Sequence, residues 1–550
     1  MSIVCRILLS PLARASVMRL SLRSWVTFCL AVIALSVFSG CSKKKAVLSA
    51  PEVQDSHTRM LGLLKKHAER AAHDHPILGD KEARMLREQL DQLKEAIDMP
   101  SMFTLRFHAQ LGNVESRLGN LDQSIKQFSV FYDGLNQLSA GRSVPPTLSI
   151  DAAYFLGIAY MRRGETRNCC QRNSPDSCLL PIKGSGIHKN QEDSKQAIKY
   201  FEEVLQKTPK DSTHHLKAKW LLNIMYMTID GHPDKVPKEH LIQPSVFESD
   251  EEFPKFVNVA SKFGLDTFDL AGGAIVDDFT GDGYLDIVVS TMDLNGQMHF
   301  FHNKRDGTFI DRTDEANLKG LGGGLNMLHA DYDNDGDLDI LILRGAWMDK
   351  DGKIPNSLLK NNGEGRFTDV TFDAGLGEVH YPTQTAAWGD YDNDGDLDIY
   401  IGNESLHVKA PCQLFRNNDD GTFTDVAKEA GVLNMSYTKG VSWGDYNDDG
   451  FPDLYISNFG FANRLFRNNG DGTFADVAQQ IGVTGPKKSF PAWFWDFNND
   501  GVLDVYVSSY EWDLGNLKAV VTSRLGLPTD YEQAHLYQGD GKGGFEEVAK

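Results

Sequence analysis

Hydrophobic and polar positions follow three patterns in successive stretches of this 550-residue chain. Residues 25–38 form a predominantly apolar run. From residue 55 to about residue 235, apolar residues recur at helical spacing without the alternation of strands. From residue 250 onward, short apolar runs alternate with polar positions between turns rich in Gly, Asn and Asp, which predicts short strands. The sequence therefore predicts a multidomain protein, with an α-helical region followed by a β region.

The helical stretch, residues 55–235, repeats a pattern of small and aromatic residues. One copy places such residues at Gly112, Gly119, Ser124 and Phe128. A second copy starts near Gly157 and resumes 28 residues late at Ala197, so we expect an insertion at about 165–196. The offsets resemble those of tetratricopeptide repeats, which are ~34 residues long. The resemblance implies a TPR-like helical array, and residues 212–229 would add a further helix.

The predicted insertion carries three cysteines. We expect one disulfide among Cys169, Cys170 and Cys178, as is natural in an oxidising compartment, but the adjacent pair leaves its connectivity open. A metal site built from these cysteines and His188 is the alternative. A c-type haem is excluded because no Cys-x-x-Cys-His motif is present.

An Asp-rich loop occurs five times in the β region, at intervals of 51 to 59 residues. The copies read DFTGDGYLD, DYDNDGDLD, DYDNDGDLD, DYNDDGFPD and DFNNDGVLD. Oxygen-bearing side chains stand at loop positions 1, 3, 5 and 9, and Gly at position 6. Ca²⁺ takes six to eight oxygen ligands, which alternate residues of a tight loop can supply. We therefore expect about five calcium ions, bound by Asp278, Thr280, Asp282, Asp286, Asp331, Asp333, Asp335, Asp339, Asp390, Asp392, Asp394, Asp398, Asp445, Asn447, Asp449, Asp453, Asp496, Asn498, Asp500 and Asp504.

These loops differ from EF-hands. An EF-hand needs a bidentate Glu at position 12 and flanking helices. Position 12 is β-branched in all five copies, and the residues after each Gly alternate as in a strand. The pattern therefore predicts a site in which the loop joins two strands.

Charge supports a cationic ligand. The formal net charge is −20, and 17 Asp residues occupy the twenty ligand positions. Two carboxylates ~5 Å apart repel by roughly 3 kcal/mol at an effective dielectric of ~20. The same acidity disfavours nucleic-acid partners, because Lys and Arg supply most of the affinity for phosphates.

A second motif alternates with the loops and begins at Phe256, Phe309, Phe367, Phe423, Phe474 and Phe545. It follows strings such as LFRNNDDG, which predict two strands around a Gly turn. One period then holds about four short strands, as in a propeller blade. Six copies of this motif with five loops leave two alternatives, a truncated sequence or a ring with fewer blades. Residues 511–534 form an extra excursion in the last period.

Together the two motifs resemble FG-GAP/VCBS repeats of integrin-like β-propellers. The likeness is greatest to the cartilage acidic protein and ASPIC/UnbV-associated group, and it covers roughly residues 252–550. It implies a calcium-binding β-propeller over 250–550, an extracytoplasmic location and an adhesion-type role. The ASPIC/UnbV region that follows the propeller in relatives is not found.

The N-terminus predicts export. A basic flank precedes the apolar run 25–38, which is too short for a membrane span of ~20 residues and ends in Ser39-Gly40-Cys41. This resembles a bacterial lipoprotein signal over 1–41, with Phe38 where Leu is usual and a tether at 42–54. Lipidation of Cys41 would anchor the protein in the cell envelope, and Ser42 resembles an outer-membrane sorting residue. An ordinary cleaved signal and an uncleaved anchor are the alternatives.

We expect a binding protein rather than an enzyme. The string from Gly440 to Gly444 matches a G-x-S-x-G nucleophile motif, but it leads into an Asp loop and not into a helix. The hypothesis is a calcium-stabilised protein that presents its helices and propeller to protein or glycan partners at the envelope. The alternative is a propeller-based enzyme acting on polysaccharide.

Overall fold

The computed structural model describes residues 54–75, 78–96, 101–139, 144–172, 174–248, 256–511, 516–528 and 531–549. The predicted signal peptide with Cys41, and the tether up to residue 53, lie outside the described residues. The helices are α1 (Ser56–Asp74), α2 (Lys81–Ala96), α3 (Met102–Arg117), α4 (Leu121–Ser139), α5 (Pro146–Glu165), α6 (Glu192–Lys207), α7 (Thr213–Thr228), α8 (Ala260–Phe263), α9 (Ala478–Ile481) and α10 (Asn516–Arg524). None of these described helices is both long and apolar enough to cross a membrane.

Small residues let neighbouring helices approach closely in the N-terminal region. A Cβ added at Gly112 of α3 would lie 2.7 Å from the Phe128 ring of α4. One added at Gly157 of α5 would lie 2.6 Å from the Phe201 ring of α6. Since real Cβ contacts are longer, Gly is required at both positions. The glycines and aromatics of the repeat pattern therefore meet in the helical core, and α7 coincides with the further helix expected at 212–229.

The β region contains five four-stranded antiparallel sheets, each built from consecutive strands. We number them sheet 1 to sheet 5 in chain order. Sheet 1 contains β1 (Ala274–Asp277), β2 (Asp286–Val289), β3 (His299–Asn303) and β4 (Phe309–Asp311). Sheet 2 contains β5 (Gly324–Ala330), β6 (Asp339–Arg344), β7 (Ser357–Asn361) and β8 (Phe367–Asp369). Sheet 3 contains β9 (Thr383–Gly389), β10 (Asp398–Asn403), β11 (Gln413–Asn417) and β12 (Phe423–Asp425).

Sheet 4 contains β13 (Thr438–Gly444), β14 (Asp453–Asn458), β15 (Arg464–Asn468) and β16 (Phe474–Asp476), and sheet 5 contains β17 (Ser489–Trp495), β18 (Asp504–Ser509), β19 (His535–Gly539) and β20 (Phe545–Glu547). The Phe-initiated motif forms the closing strand of each sheet. The copy at Phe256 is an exception to the predicted pattern. Its residues form no strand, Phe256 is 85% exposed, and no strand precedes it in the part of the chain that the structure describes. The excursion at 511–534 contains α10.

Consecutive sheets pack face to face. The second strands of the three middle sheets, β6, β10 and β14, are buried at all six positions. The second strands of the outer two, β2 and β18, contain half-exposed residues. First strands of successive sheets are neighbours throughout, from β1 to β17. Apolar clusters therefore fill each space between sheets, and the end sheets have one face that no other described sheet covers.

The helical region packs on both ends of this series of sheets. In α1, Ser56 Oγ accepts a hydrogen bond from Phe372 N at 3.0 Å, and Met60 enters the apolar cluster of sheets 1 and 2. At the other end, Leu517 and Val521 of α10, which lies between β18 and β19, join the cluster around α7. Helices and sheets therefore share hydrophobic core at two separate places.

A buried ion pair connects three sheets. The side chains of Lys439 on β13 and Glu404 after β10 are 0% and 2% exposed and in direct contact. Lys439 Nζ also lies 3.4 Å from the ring centroid of Trp347, which follows β6, and 3.3 Å from Gln384 Oε1 on β9. Trp347 N donates to Glu404 Oε2 at 2.7 Å. Burial lowers the pKa of Lys439 to about 8, so the pair depends on this geometry to stay charged.

We expect Lys439→Met to lower the free energy of unfolding by about 3–5 kcal/mol, because it leaves the Glu404 carboxylate buried and unpaired. Urea denaturation at pH 7 measures this. Lys439→Met combined with Glu404→Leu should recover at least half of the loss, since neither charge remains. The exposed Lys428→Met is the control and should change stability by less than about 0.5 kcal/mol. A single variant as stable as the control would contradict this role for the pair.

Candidate metal centres

Each Asp loop joins the first two strands of a sheet. Position 1 follows the last residue of the first strand, and position 9 is the first residue of the second strand, namely Asp286, Asp339, Asp398, Asp453 or Asp504. The structure thereby places the four predicted ligand positions of every loop at one end of its own sheet, where the first two strands are joined. No helix flanks any of the five loops, in agreement with the predicted strand–loop–strand context.

Backbone hydrogen bonds hold the position 1 carboxylate in place. In the third loop, Asp390 Oδ1 and Oδ2 accept hydrogen bonds at 3.0 Å from the backbone N–H groups of Asp394 and Gly395. The same pair of bonds occurs in the other four loops. Gly395 has φ +96°, a conformation that Gly adopts at low cost. The loop fold therefore fixes the position 1 carboxylate before any ligand arrives.

The position 9 carboxylate is buried in every loop at 0% exposure. In the third loop, Asp398 Oδ1 accepts from Asn417 N at 2.8 Å and Oδ2 from Tyr391 N at 3.2 Å. Burial raises the pKa of Asp339, Asp398 and Asp453 to about 7. Burial also raises the pKa of Asp286. A nearby cation would favour the ionised form of these groups.

Two position 3 carboxylates supply the test of whether the loops fit a metal ion. Asp333 Oδ1 and Asp392 Oδ1 are buried and have no hydrogen-bond partner among the described residues. Oxygens of Asp331, Asp333 and Asp335 lie within 4.8 Å of one another, as do oxygens of Asp390, Asp392 and Asp398. Ligand oxygens around Ca²⁺ stand at about 2.3–2.6 Å from the ion, so oxygens up to about 5 Å apart can share one. The second and third loops fit a divalent cation by this criterion.

The other three loops have a neutral residue at position 3. Thr280 Oγ1 of the first loop lies 3.3 Å from Asp286 Oδ2, within hydrogen-bond distance. In the fifth loop, Asn498 Nδ2 donates to Asp500 Oδ2 at 2.7 Å. Asn447 Oδ1 of the fourth loop accepts from Asp449 N at 3.1 Å. Among the described residues, the three Asp carboxylates of each of these loops do not come within 4.8 Å of one another as a group, unlike three of the four carboxylates in loops two and three.

A lysine and a histidine of the third strands face two of the loops, a feature that sequence reasoning missed. Lys360 Nζ contacts Asp333 and lies 3.2 Å from Asp335 Oδ2. In the first sheet, His302 Nδ1 lies 3.0 Å from Asp286 Oδ1. Both residues directly precede the Asn at the end of their strand. The third-strand motif, which the sequence predicts as part of a hairpin, therefore also places the basic side chains of Lys360 and His302 beside the loops.

In sheets 2, 3 and 4, the Asn that ends the third strand bonds to the Asp loop of the preceding sheet. Asn361 Nδ2 donates to Phe279 O in the loop of the preceding sheet at 2.9 Å. Asn417 and Asn468 make the same bond to Tyr332 O and Tyr391 O, each at 2.8 Å. Sheet 5 has Gly539 at this position and lacks the amide. The first three loops are therefore fixed by contacts from two sheets.

The remaining predicted site residues lie elsewhere. Cys169 is a buried free thiol whose Sγ lies 3.5 Å from His188 Nε2, and His188 Nδ1 lies 3.0 Å from Ser194 Oγ. Within the described residues no third Cys, His, Asp or Glu completes a metal site there. The disulfide expected among Cys169, Cys170 and Cys178 stays a prediction, with its connectivity open. Ser442 lies inside β13 and its Oγ accepts from Phe494 N at 3.1 Å, so it is not on a strand–turn–helix elbow.

Comparison with known proteins shows a similarity to one repeat family over part of the chain. The profile of the FG-GAP-like repeat family matches residues 278–342, 409–456 and 457–507. Cartilage acidic protein 1 of Xenopus tropicalis is 34% identical over 122 residues, which is 21% of this chain and 18% of that protein. Cartilage acidic protein 1 of Homo sapiens is 28% identical over 207 residues, or 34% of this chain and 31% of that protein. The chain thus spans less than a third of the length of these relatives.

The crystal structure of the V. cholerae biofilm matrix protein Bap1 was also matched. It shows 13% sequence identity and a TM-score of 0.27, and the alignment covers 52% of this chain and 40% of Bap1. The matched FG-GAP-like segments contain four of the five Asp loops. These matched segments of the β region are therefore similar to FG-GAP-like repeats.

The raised pKa of Asp398 predicts a pH dependence in EDTA. A pKa of about 7 in the folded protein, against 3.8 for a solvated Asp, means that folding takes up a proton between these values. The protonated Asp398 carboxyl therefore favours the folded state below pH 4. This contribution to stability is lost as pH rises to about 7 and the carboxyl ionises. The melting temperature of Asp398→Asn, measured relative to that of the unmodified chain, should therefore rise as pH increases from about 4 to about 7. A difference independent of pH would contradict the assignment.

Proposed function

We propose that this protein is an exported binding protein whose sheets are the blades of a β-propeller stabilised by calcium. The observation that most directly supports this proposal is the pair of buried carboxylate oxygens on Asp333 and Asp392 that have no hydrogen-bond partner among the described residues. Each lies beside further carboxylates of its loop. Five divalent ions would halve the net charge of −20. Ca²⁺ suits these loops better than Mg²⁺, because it accepts irregular sets of carboxylate and backbone oxygens while Mg²⁺ keeps several waters.

Propeller geometry accounts for the order of the strands. The first strands of successive sheets are neighbours and the fourth strands lie at the far edges, as in blades that radiate from an axis. The antiparallel four-stranded sheets and the FG-GAP-like repeats support the same architecture. The helices α3 to α6 act as a TPR-like array, supported by the glycine–aromatic contacts of its two helix pairs.

The proposed role is adhesion-type binding of a protein or glycan at the cell envelope. The N-terminal segment directs export and Cys41 carries the lipid anchor, in keeping with the lipobox-like Ser39-Gly40-Cys41. The helical region and the sheets then form one body held at the membrane surface. Bound calcium would order the Asp loops and add stability by mass action, about 2.7 kcal/mol per ion at a concentration 100-fold above Kd.

We expect excess Ca²⁺ to raise the melting temperature strongly relative to EDTA, with Mg²⁺ giving a smaller shift. Asp392→Asn should have opposite effects in the two conditions. In EDTA it relieves repulsion among carboxylates and should stabilise the protein on the order of 1 kcal/mol. In Ca²⁺ it removes a charged ligand and should destabilise the protein.

Glu429→Gln is the matched control, since it removes one exposed negative charge of the same sheet away from the loop. It should leave the calcium-induced shift unchanged. Differential scanning calorimetry in EDTA and in calcium measures all three proteins. A melting temperature that does not respond to calcium would reject the proposal, as would an Asp392→Asn effect of the same sign in both conditions.

A further inference from the structure

The second and third Asp loops have the same nine residues, DYDNDGDLD, and begin at Asp331 and Asp390. Their backbones also agree. In each loop the position 1 carboxylate accepts two backbone N–H bonds at 2.9 or 3.0 Å. The position 4 Asn has φ +55° in loop two and +57° in loop three, and the position 6 Gly has φ +92° and +96°. A difference in cation affinity between these loops must therefore come from residues outside them.

The third strand supplies such a difference. Lys360 on β7 and Arg416 on β11 stand at the same position, directly before the Asn that ends the strand. Lys360 Nζ contacts Asp333 Oδ2 and lies 3.2 Å from Asp335 Oδ2, so its ammonium group sits between the position 3 and position 5 carboxylates. Arg416 is exposed and forms no ion pair within the part of the chain that the structure describes. Of the two identical loops, only loop two therefore holds a cation from the described side chains.

The carboxylate oxygens are also grouped differently in the two loops. In loop two the oxygens that lie within 4.8 Å of one another belong to positions 1, 3 and 5, and the carboxylates at positions 3 and 5 hold Lys360. In loop three they belong to positions 1, 3 and 9, and the position 9 carboxylate of Asp398 is 0% exposed. Loop two is thus partly neutralised without a metal ion. Loop three gathers one buried and two half-buried carboxylates that no described cationic side chain pairs with.

The first loop holds a cation from a different position. Arg305, in the turn after β3, donates from Nη2 to Asp282 Oδ2 at 2.9 Å and from Nε to the same oxygen at 3.1 Å. Asp282 is the position 5 carboxylate of loop one. Among the described residues, no Lys or Arg forms an ion pair with a predicted ligand of loops three, four or five. The five loops therefore differ in whether the chain itself supplies a cation to them.

We infer that Lys360 is a built-in competitor for calcium in the second loop, so that loop three binds the ion more tightly than loop two despite their identical sequences. This inference rests on the proposed calcium binding and adds a ranking of the sites. A double and a single positive charge ~5 Å apart repel enough to weaken binding roughly tenfold even in water. Calcium must therefore displace the Lys360 ammonium, which the flexible four-carbon stem of Lys permits. Sheet 2, which receives α1, is thereby less dependent on calcium than sheet 3.

The test is isothermal titration calorimetry of the metal-free full chain with calcium chloride. Lys360→Met keeps the apolar stem without the charge, and it should strengthen the binding of one ion about tenfold. Lys360→Gln is a second variant and should behave in the same way. Arg416→Met is the matched control, because it removes a positive charge from the same strand position of the next sheet. It should change calcium affinity by less than about threefold.

Two further measurements assign the effect to loop two. In a chain that carries Asp333→Asn and Asp335→Asn, adding Lys360→Met should no longer tighten calcium binding, since the carboxylates for which the two cations compete are gone. Acetylation of the Lys360 amine by a small reagent, followed by mass spectrometry, should be faster in calcium than in EDTA. The exposed Lys428 is the internal control and should react at the same rate in both conditions.

The outcomes separate this inference from the proposed function. Equal calcium affinity of Lys360→Met and Arg416→Met, with a melting temperature that still rises in calcium, overturns the competition and leaves the calcium proposal intact. Acetylation of Lys360 at the same rate with and without calcium has the same meaning. A melting temperature that does not respond to calcium in the unmodified chain or in either Lys360 variant rejects both.

Discussion

The concentration of carboxylate groups in five tight turns is the constraint on which the rest of the structure depends. In each turn the Asp that begins the second strand is 0% exposed, and the backbone of the same turn holds another Asp in a fixed orientation. Burial of such a group is costly unless hydrogen bonds or a cation compensate it. Local hydrogen bonds, third-strand cations such as Lys360 and the proposed calcium ions all serve this purpose. The faces of the sheets can pack together because the Asp carboxylates lie at the ends of the strands and not on the faces.

The position of each Asp loop between two strands could be predicted from the sequence because the loops are local. Loop positions 1, 5 and 9 are close together in the sequence. Gly395 indicates the sharp turn between them, and this turn does not depend on contacts with another sheet. Loop position 4 also carries a local signal in four of the five loops. Asn334, Asn393, Asp448 and Asn499 all have positive φ there, a conformation in which Asn and Asp are enriched.

Features that depend on distant segments could not be predicted in the same way. Asn417 was interpreted as part of a hairpin, yet its amide reaches the loop of the preceding sheet, 85 residues away in sequence. The motif at Phe256 matches the closing strands in sequence but has no third strand before it in the described residues. A strand needs its partner, and the spacing of residues alone does not report whether one is present. Likewise the contact of α1 with sheet 2 involves residues more than 300 positions apart.

The two attachments of the helical region have a mechanical consequence. Helix α1 is built into the apolar cluster of the first two sheets, while α7 packs against a helix inserted in the last. The N-terminal helical region thus contacts the series of sheets near its beginning, through α1, and at its end, through α7. A load applied to the sheets by a bound surface would pass to the N-terminal segment through two buried contacts acting in parallel, and neither contact would have to bear the full force alone.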